Sequence, residues 1–428
     1  MNLLFFSEQS PYLPTRVGGA ENSMRLIAEG LAARGHAVTF ASLRPDALPL
    51  AKSFAANGVA VRLWPGPRRS LRARLTRRLG LKPGRIGRAL DAAAWARLRR
   101  RIFGEGARYD LVYAFYEMDF LDQALAAREA GKAGGEAAGS PKIVLRMAGM
   151  SWHDAILQGG DPARARYERV FNGVDAINFL SEPSRDLVAA RAAEVGLGLA
   201  PRARFVADIG VDAGRVPARW PGPSPEGRLA ILVATRFTRP QKRQDLLIEA
   251  LGLLKGRLDF RVTMVGTGDS AAEVIRRRDA LGLADRVEIL PFLPQEALWR
   301  AMEQADLLCH PCDHEGVSKV ILEAMMLGLP VLASDVDPLP DYVIEGETGY
   351  RVANTPEAWA ARLLAIAGEK AALPALSARA RAFVEERFSA ARNLDRYEAA
   401  FRALTAPSEA ASDPPVQSGP PSGPPPGQ

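Results

Sequence analysis

Two glutamates eight positions apart, Glu315 and Glu323, stand in the run His314-Glu315-Gly316-Val317-Ser318-Lys319-Val320-Ile321-Leu322-Glu323. Their surroundings suit chemistry on a phosphorylated sugar. Gly316 permits an open loop, and Ser318 is a residue type that caps helices through its hydroxyl. Val320, Ile321, Ala324, Met325 and Leu327 recur at helical spacing, and Gly328 ends the pattern before the apolar strand Val331–Ala333. Open amides at the start of this helix, over Gly316, Val317 and Ser318, favour a phosphate. Glu323 lies about 7–8 Å further along the axis at 1.5 Å per residue, roughly the offset between a diphosphate and its ribose. Glu315 stays in the loop, on the far side of the phosphate, where a sugar would sit. On these residues alone, an amphipathic helix carrying two solvated acids remains an alternative.

These side chains need elements to position them. The first half of the chain alternates strands and helices: Asn2–Ser7 reads as a buried strand, Gly18-Gly19 as a break, and Ala20–Arg34 as a helix closed by Gly35-His36. Ala37–Ser42, Val59–Trp64, Leu111–Phe115, Ile143–Met147 and Ala176–Leu180 are further strands. A second cycle follows Asp208-Ile209-Gly210-Val211-Asp212, with strands at Leu229–Ala234, Arg261–Val265, Val287–Leu290, Leu307–His310 and Val331–Ala333, and a helix from Gln244 to Leu254. Such alternation predicts an α/β protein with two doubly wound parallel sheets. The expected division is 1–208 and 209–381, with Pro217, Pro221, Pro223 and Pro225 in the linker and a last helix of about 382–405 that returns to the first domain. Gly131–Ser140 reads as a surface insertion. Ala406–Gln428, with eight prolines and no apolar period, reads as a disordered tail.

The paired glutamates in this setting resemble the motif of retaining glycosyltransferases of family 4, and the resemblance covers about residues 1–405. It implies the GT-B fold, two Rossmann-like domains facing a cleft. It also implies that Glu315 contacts the donor sugar and Glu323 the ribose hydroxyls. Arg236-Phe237-Thr238-Arg239-Pro240-Gln241-Lys242 is similar to the family's diphosphate-binding loop, so Arg236 and Lys242 are the candidates for neutralising the leaving pyrophosphate. The loop is one residue longer than the common pattern, which leaves Arg239 as an alternative for the arginine. Gly18-Gly19-Ala20-Glu21 resembles the glycine-rich loop of the first domain, and Gly266-Thr267-Gly268 the loop near the nucleotide base. Leu290-Pro291-Phe292-Leu293 matches the segment whose backbone contacts that base. Many members place a histidine where this chain has Ala148. His153, beside Asp154, is then the candidate for polarising an acceptor hydroxyl, with a structural role as the alternative.

The implied reaction is transfer from a UDP- or GDP-sugar to a hydroxyl of a glycan or lipid-linked acceptor, as in surface polysaccharide or glycolipid synthesis. No resident cofactor and no metal are implied. A sugar-nucleotide epimerase of the same fold and a non-catalytic donor-binding subunit are the alternatives; a glycan phosphorylase would need a cofactor-bearing lysine site, which is not found. Asp335-Val336-Asp337 looks like a metal-binding acid pair but is assigned to a structural loop. Cys309-His310-Pro311-Cys312-Asp313-His314 places four soft ligands on one short stretch, whereas zinc sites usually draw ligand pairs from separate segments.

Composition bounds the setting. The chain has 428 residues, two cysteines and no apolar run of membrane-spanning length, and its start lacks a secretory signal pattern, so a reducing cytoplasm is expected. The formal charge is +7, and it is uneven: between Arg68 and Arg101 thirteen Arg and Lys residues face one acid, Asp91. Leu71, Leu75, Leu79, Leu81, Ile86, Leu90 and Trp95 are interleaved with them. A basic amphipathic stretch suits the anionic inner face of a membrane, which would make the protein peripheral there. A solvated basic helix is the alternative. Nucleic acid is disfavoured because no recognition motif accompanies the charge.

Overall fold

In the computed structural model, residues 1–13, 19–44, 53–65, 85–103, 109–115, 117–133, 140–147, 149–208, 210–211, 216, 219–225 and 227–406 are described. Gly18, Ala148, Pro217, residues 66–84 of the basic stretch, 134–139 of the insertion and 407–428 of the tail lie outside them.

The first sheet contains β1 (Asn2–Ser7), β2 (Ala37–Arg44), β3 (Ser53–Ala56), β4 (Val59–Pro65), β5 (Leu111–Phe115), β6 (Lys142–Met147), β7 (Ala176–Phe179) and β8 (Ala203–Val206). Its order is β3-β4-β2-β1-β5-β6-β7-β8, parallel except for β3 against β4. The helices of this half are α1 (Gly19–Ala33), α2 (Arg85–Phe103), α3 (Met118–Ala133), α4 (Ser151–Gly173) and α5 (Glu182–Glu194). Leu3, Phe5, Leu111 and Tyr113 are buried on one face of the sheet, and Leu4, Phe6, Val112 and Ala114 on the other. This alternation along near-continuous apolar strands is what a sheet covered on both faces requires.

The second sheet is built from β9 (Leu229–Ala234), β10 (Phe260–Val265), β11 (Val287–Leu290), β12 (Leu307–His310), β13 (Val331–Ser334) and β14 (Tyr350–Val352), in the order β11-β10-β9-β12-β13-β14. Every pairing in it is parallel. Its helices are α6 (Gln244–Leu254), α7 (Ala271–Ala280), α8 (Gln295–Glu303), α9 (Lys319–Leu327), α10 (Pro356–Gly368) and α11 (Leu373–Arg387). In each sheet the winding reverses beside the first strand, between β1 and β5 and between β9 and β12. Ligands of doubly wound sheets bind beyond the strand ends at such points.

The last helix, α12 (Ala390–Thr405), leaves the second domain and packs Tyr397 and Phe401 against Phe5, Tyr113 and Leu3 of the first sheet. Burying two such aromatics stabilises the docking by roughly 1.5–3 kcal/mol each. The return begins later than the expected 382, because Val384 and Phe388 still belong to the second core. At the crossing, Val211 N donates to Phe388 O at 2.8 Å and Ala390 N to Val211 O at 3.1 Å, so the two interdomain strands of chain run side by side. The Pro-rich segment is not a free linker throughout: Trp220 is buried in the second core and its indole donates to Ala305 O at 2.7 Å.

Candidate active site

The site grows from the loops after β9 and β12. Phe237 is fully buried and anchors the first loop, its N donating to Thr267 O at 3.1 Å. Gly266 and Gly268 make that approach possible. A Cβ on Gly266 would lie 2.0 Å from Thr235 O, and one on Gly268 would lie 2.0 Å from Phe237 O. The structure therefore gives both glycines a packing reason: they hold the Arg236 loop. Gln244, at the start of α6, donates to Thr235 Oγ1 and Arg236 O at 2.6 and 2.8 Å. The two loops are joined by a bridge between Lys242 and Cys312, by Asp313 N to Gln241 O at 2.9 Å, and by Arg243 to Asp313 at 2.9 Å.

This framework brings Lys242 onto Glu315, although the two are far apart in sequence. The ammonium contacts the Glu315 carboxylate and lies 3.2 Å from His310 Nε2, which is itself 2.8 Å from Glu315 Oε2. Lys242 and His310 are 6% and 2% exposed. Burial opposes ionisation of Glu315, but the Lys242 charge and the His310 contact outweigh it and hold the carboxyl well below its usual range. Burial, and then the Lys242 charge, push the His310 imidazole down, so it stays neutral near pH 7. The Cys312 thiol is pushed up to about 12 by burial and is not a nucleophile at neutral pH.

His310, Cys312 and Glu315 bring their ligand atoms within 4.8 Å of one another, although they come from one short stretch. The loop turns them together after all. The Lys242 ammonium holds the carboxylate oxygen and lies near the imidazole nitrogen that a cation would use.

Beyond Glu315 the chain turns through Gly316, whose Cβ position faces open space, and buried Val317 into α9. Ser318 is the N-cap residue, but its side chain makes no cap hydrogen bond, contrary to the sequence reading. The turn is held instead by buried Tyr342, whose hydroxyl accepts from Ser318 N at 2.9 Å and donates to Gly316 O at 3.0 Å. Of the three amides expected to be open, Gly316 N donates to Glu315 Oε1 at 3.1 Å and Ser318 N to Tyr342, so an anion is left the first amides of α9 itself, which have no side-chain cap. Gly328, at φ 97°, closes α9 as expected. Glu323 points its carboxylate between Lys319 Nζ at 3.2 Å and Gln295 Nε2 at 3.1 Å and is buried. From the first domain, α1 begins directly opposite: a Cβ on Gly19 would stand 4.0 Å from Lys319 Cβ.

The two candidate arginines separate cleanly. Arg239 is committed to Asp245 at 2.7 Å and Glu273 at 3.0 Å. Arg236 is exposed, and its guanidinium has no ion pair among the described residues. His153 does not join the group: it lies on α4, 3.3 Å from Glu194 Oε2 and edge-on to buried Trp152. Asp335, of the decoy acid pair, is bound by Arg351 at 2.6 Å. Sequence reasoning passed over His310 and Tyr342 as site members. His310 was visible only as part of a metal-like cluster, and Tyr342 carries no short-range signal, lying 24 positions beyond Ser318.

Residues 17–194 match the model of glycosyltransferase family 4, and residues 217–383 that of glycosyl transferases group 1. A GDP-mannose-dependent alpha-(1-6)-phosphatidylinositol monomannoside mannosyltransferase of Mycolicibacterium smegmatis is 30% identical over 211 residues, 45% of this chain and 53% of that protein. The chain spans about half the length of the curated relatives it matches, or somewhat less. Among solved structures, sucrose-phosphate synthase from Thermosynechococcus elongatus superposes with a TM-score of 0.73 at 17% identity, covering 95% of this chain and 99% of the other. Anabaena HepE, in complex with UDP and glucose, gives 0.68 at 18%, covering 94% and 100%. At such identities these structures speak for the fold. With both family models matched in succession and both sheets wound as the GT-B fold requires, the chain belongs to the group 1, family 4 glycosyltransferases.

Proposed function

We propose that the chain is a retaining hexosyltransferase that moves a sugar from a UDP- or GDP-sugar to a hydroxyl. The observation that carries this reading is the buried Lys242–Glu315–His310 group at the switch point of the second sheet, with the starts of α9 and α1 converging on it. The diphosphate would lie on the open amides of α9, with Lys242 and Arg236 supplying positive charge as the glycosidic bond breaks. It would compete with Glu315 for the Lys242 ammonium, and the freed carboxylate would face the sugar. Glu323, already oriented by Lys319 and Gln295, would take the ribose hydroxyls. The family resemblance implies attack on the face the diphosphate leaves, with a diphosphate oxygen taking the acceptor proton. In this reading the Lys242 ammonium supplies the positive charge at the diphosphate, and no metal is invoked.

The relative's name, with GDP-mannose and a phosphatidylinositol mannoside in it, supports a nucleotide-sugar donor and a lipid-borne acceptor. The HepE complex, with UDP and glucose bound, supports the same donor class. The basic stretch fits a peripheral place on the cytoplasmic face of a membrane: Arg97, Arg100 and Arg101 of α2 are exposed, while Trp95, Leu98 and Ile102 pack into the core. Among the described residues no helix is long and apolar enough to cross a membrane. The test is a panel of UDP- and GDP-sugars, scored for binding and for slow sugar release without acceptor, with the anomer of the product read by NMR. Binding of none, or an inverted anomer, would refute the respective parts of the reading.

A further inference from the structure

His310 ends β12 and pairs with Ala333 of β13, so the sheet fixes its backbone and burial its ring. Glu315 follows in the loop, and both of its carboxylate oxygens are held. Oε1 accepts from Gly316 N at 3.1 Å, while Oε2 takes the Lys242 ammonium and stands 2.8 Å from His310 Nε2. The Lys242 contact is the one a bound diphosphate would take, because an ammonium on a flexible four-carbon stem can turn towards it. The other two come from the adjacent backbone and from a side chain anchored on the sheet.

The distances fix where His310 carries its proton. Nε2 lies 2.8 Å from the carboxylate oxygen and 3.2 Å from the Lys242 nitrogen. In a neutral imidazole each nitrogen carries either a hydrogen or a lone pair. A lone pair on Nε2 would face those of the carboxylate at hydrogen-bond distance. The hydrogen would then sit on Nδ1, which is buried and has no partner to accept it. An Nε2–H donated to Glu315 removes the repulsion and leaves Nδ1 a bare acceptor. Burial and the Lys242 charge keep the ring from taking a second proton.

We propose that His310 is the positioning residue for Glu315: its Nε2–H keeps the carboxylate aimed at the donor sugar after the diphosphate has drawn the Lys242 ammonium away. This rests on the glycosyl-transfer reading for the sugar and the diphosphate. In the free protein Lys242 and His310 share Oε2. With donor bound, His310 and Gly316 N hold the carboxylate without the ammonium. An apolar side chain at 310 would leave it the backbone contact alone, free to swing. The ring is neutral, so it orients Glu315 without competing with Lys242 for the diphosphate.

The test reads kcat, donor KM and the imidazole proton. His310→Phe removes the N–H, His310→Gln restores an amide N–H at the reach of Nε2, and His310→Asn carries its amide one carbon short. His310→Phe and His310→Asn should lower kcat by roughly 10–100-fold, the scale of an ångström's misplacement, with donor KM unchanged, and His310→Gln should recover most of the loss. Wild-type kcat in His310→Phe, equal losses in all three variants, or a loss confined to KM would overturn the proposal, because a side chain that only fills space would not separate Gln from Asn. If the variants do not fold, nitrogen-15 spectra of the wild type at pH 7, with and without UDP or GDP, decide. The same spectra decide if the wild type releases sugar from no donor, the outcome that refutes the glycosyl-transfer reading itself. His310 should carry its proton on Nε2 in both states, and a bare Nε2 in either is the refuting result.

Discussion

Replacing Lys242 by Met should do two separable things. It leaves the Glu315 carboxylate, 13% exposed, without its main counter-charge, and removing one partner of a buried pair costs roughly 3–5 kcal/mol. It also removes positive charge from the leaving diphosphate, which should lower kcat by roughly 10²–10³-fold, the range for deleting one pre-organised charge-stabilising group. The double variant Lys242→Met with Glu315→Gln should recover most of the stability and none of the turnover. The pH profile gives a further check. In the wild type Glu315 is held below its ordinary value, so its stabilisation is present above the unfolded carboxyl value of about 4.3 and is lost as pH falls below that. In Lys242→Met burial dominates, the folded value rises above the unfolded one, and the variant should instead lose stability as pH rises through the carboxylate range. Urea titrations of the three proteins between pH 4 and 8, with donor turnover measured beside them, read both effects. A single variant with wild-type stability and turnover, or one with an unchanged pH slope, would refute the reasoning.

Glu323→Ala should weaken nucleoside diphosphate binding by the roughly 1.5–3 kcal/mol of hydrogen bonds to a charged group, measured by calorimetry; unchanged affinity removes it from the ribose site. Arg236→Ala should lower turnover at least tenfold, whereas Arg239→Ala, which breaks a partly exposed pair with Glu273 and leaves buried Asp245 its second partner Arg243 at 3.3 Å, should cost stability of about 1–2 kcal/mol and leave kcat nearly intact. Chelation with EDTA should leave activity standing, and loss restored by magnesium or manganese would reverse the metal assignment. Vesicles containing anionic lipid should capture the protein at low salt and release it at high salt. Gln in place of Arg72, Arg74, Arg77 and Arg78 should weaken capture by about 1 kcal/mol per charge removed, and indifference of the wild type to such vesicles would end the membrane reading.

The primary structure alone carries the strand–helix alternation, because runs such as Leu3-Leu4-Phe5-Phe6 and Ile231-Leu232-Val233 are apolar on both faces and suit a sheet covered on both sides. It also determined α9 and its end at Gly328, where a local conformation demands glycine. It did not reveal β3, β8 or β14, short strands whose pairing comes from neighbours and not from their own pattern. It suggested a Ser318 cap that is not made, and it hid the Tyr342 hydroxyl that holds the turn, since a hydrogen bond across 24 residues leaves no local trace. Lys242 and Glu315 were each legible through their loops, but their ion pair was not: only the order β9-β12 in the sheet lays those loops side by side. His153 shows the converse, a chemically apt residue next to Asp154 that the fold directs to Glu194. Local propensity and periodicity are written residue by residue. Which charges are buried, and against what, is decided by strand order and loop packing, as in Lys242 on Glu315.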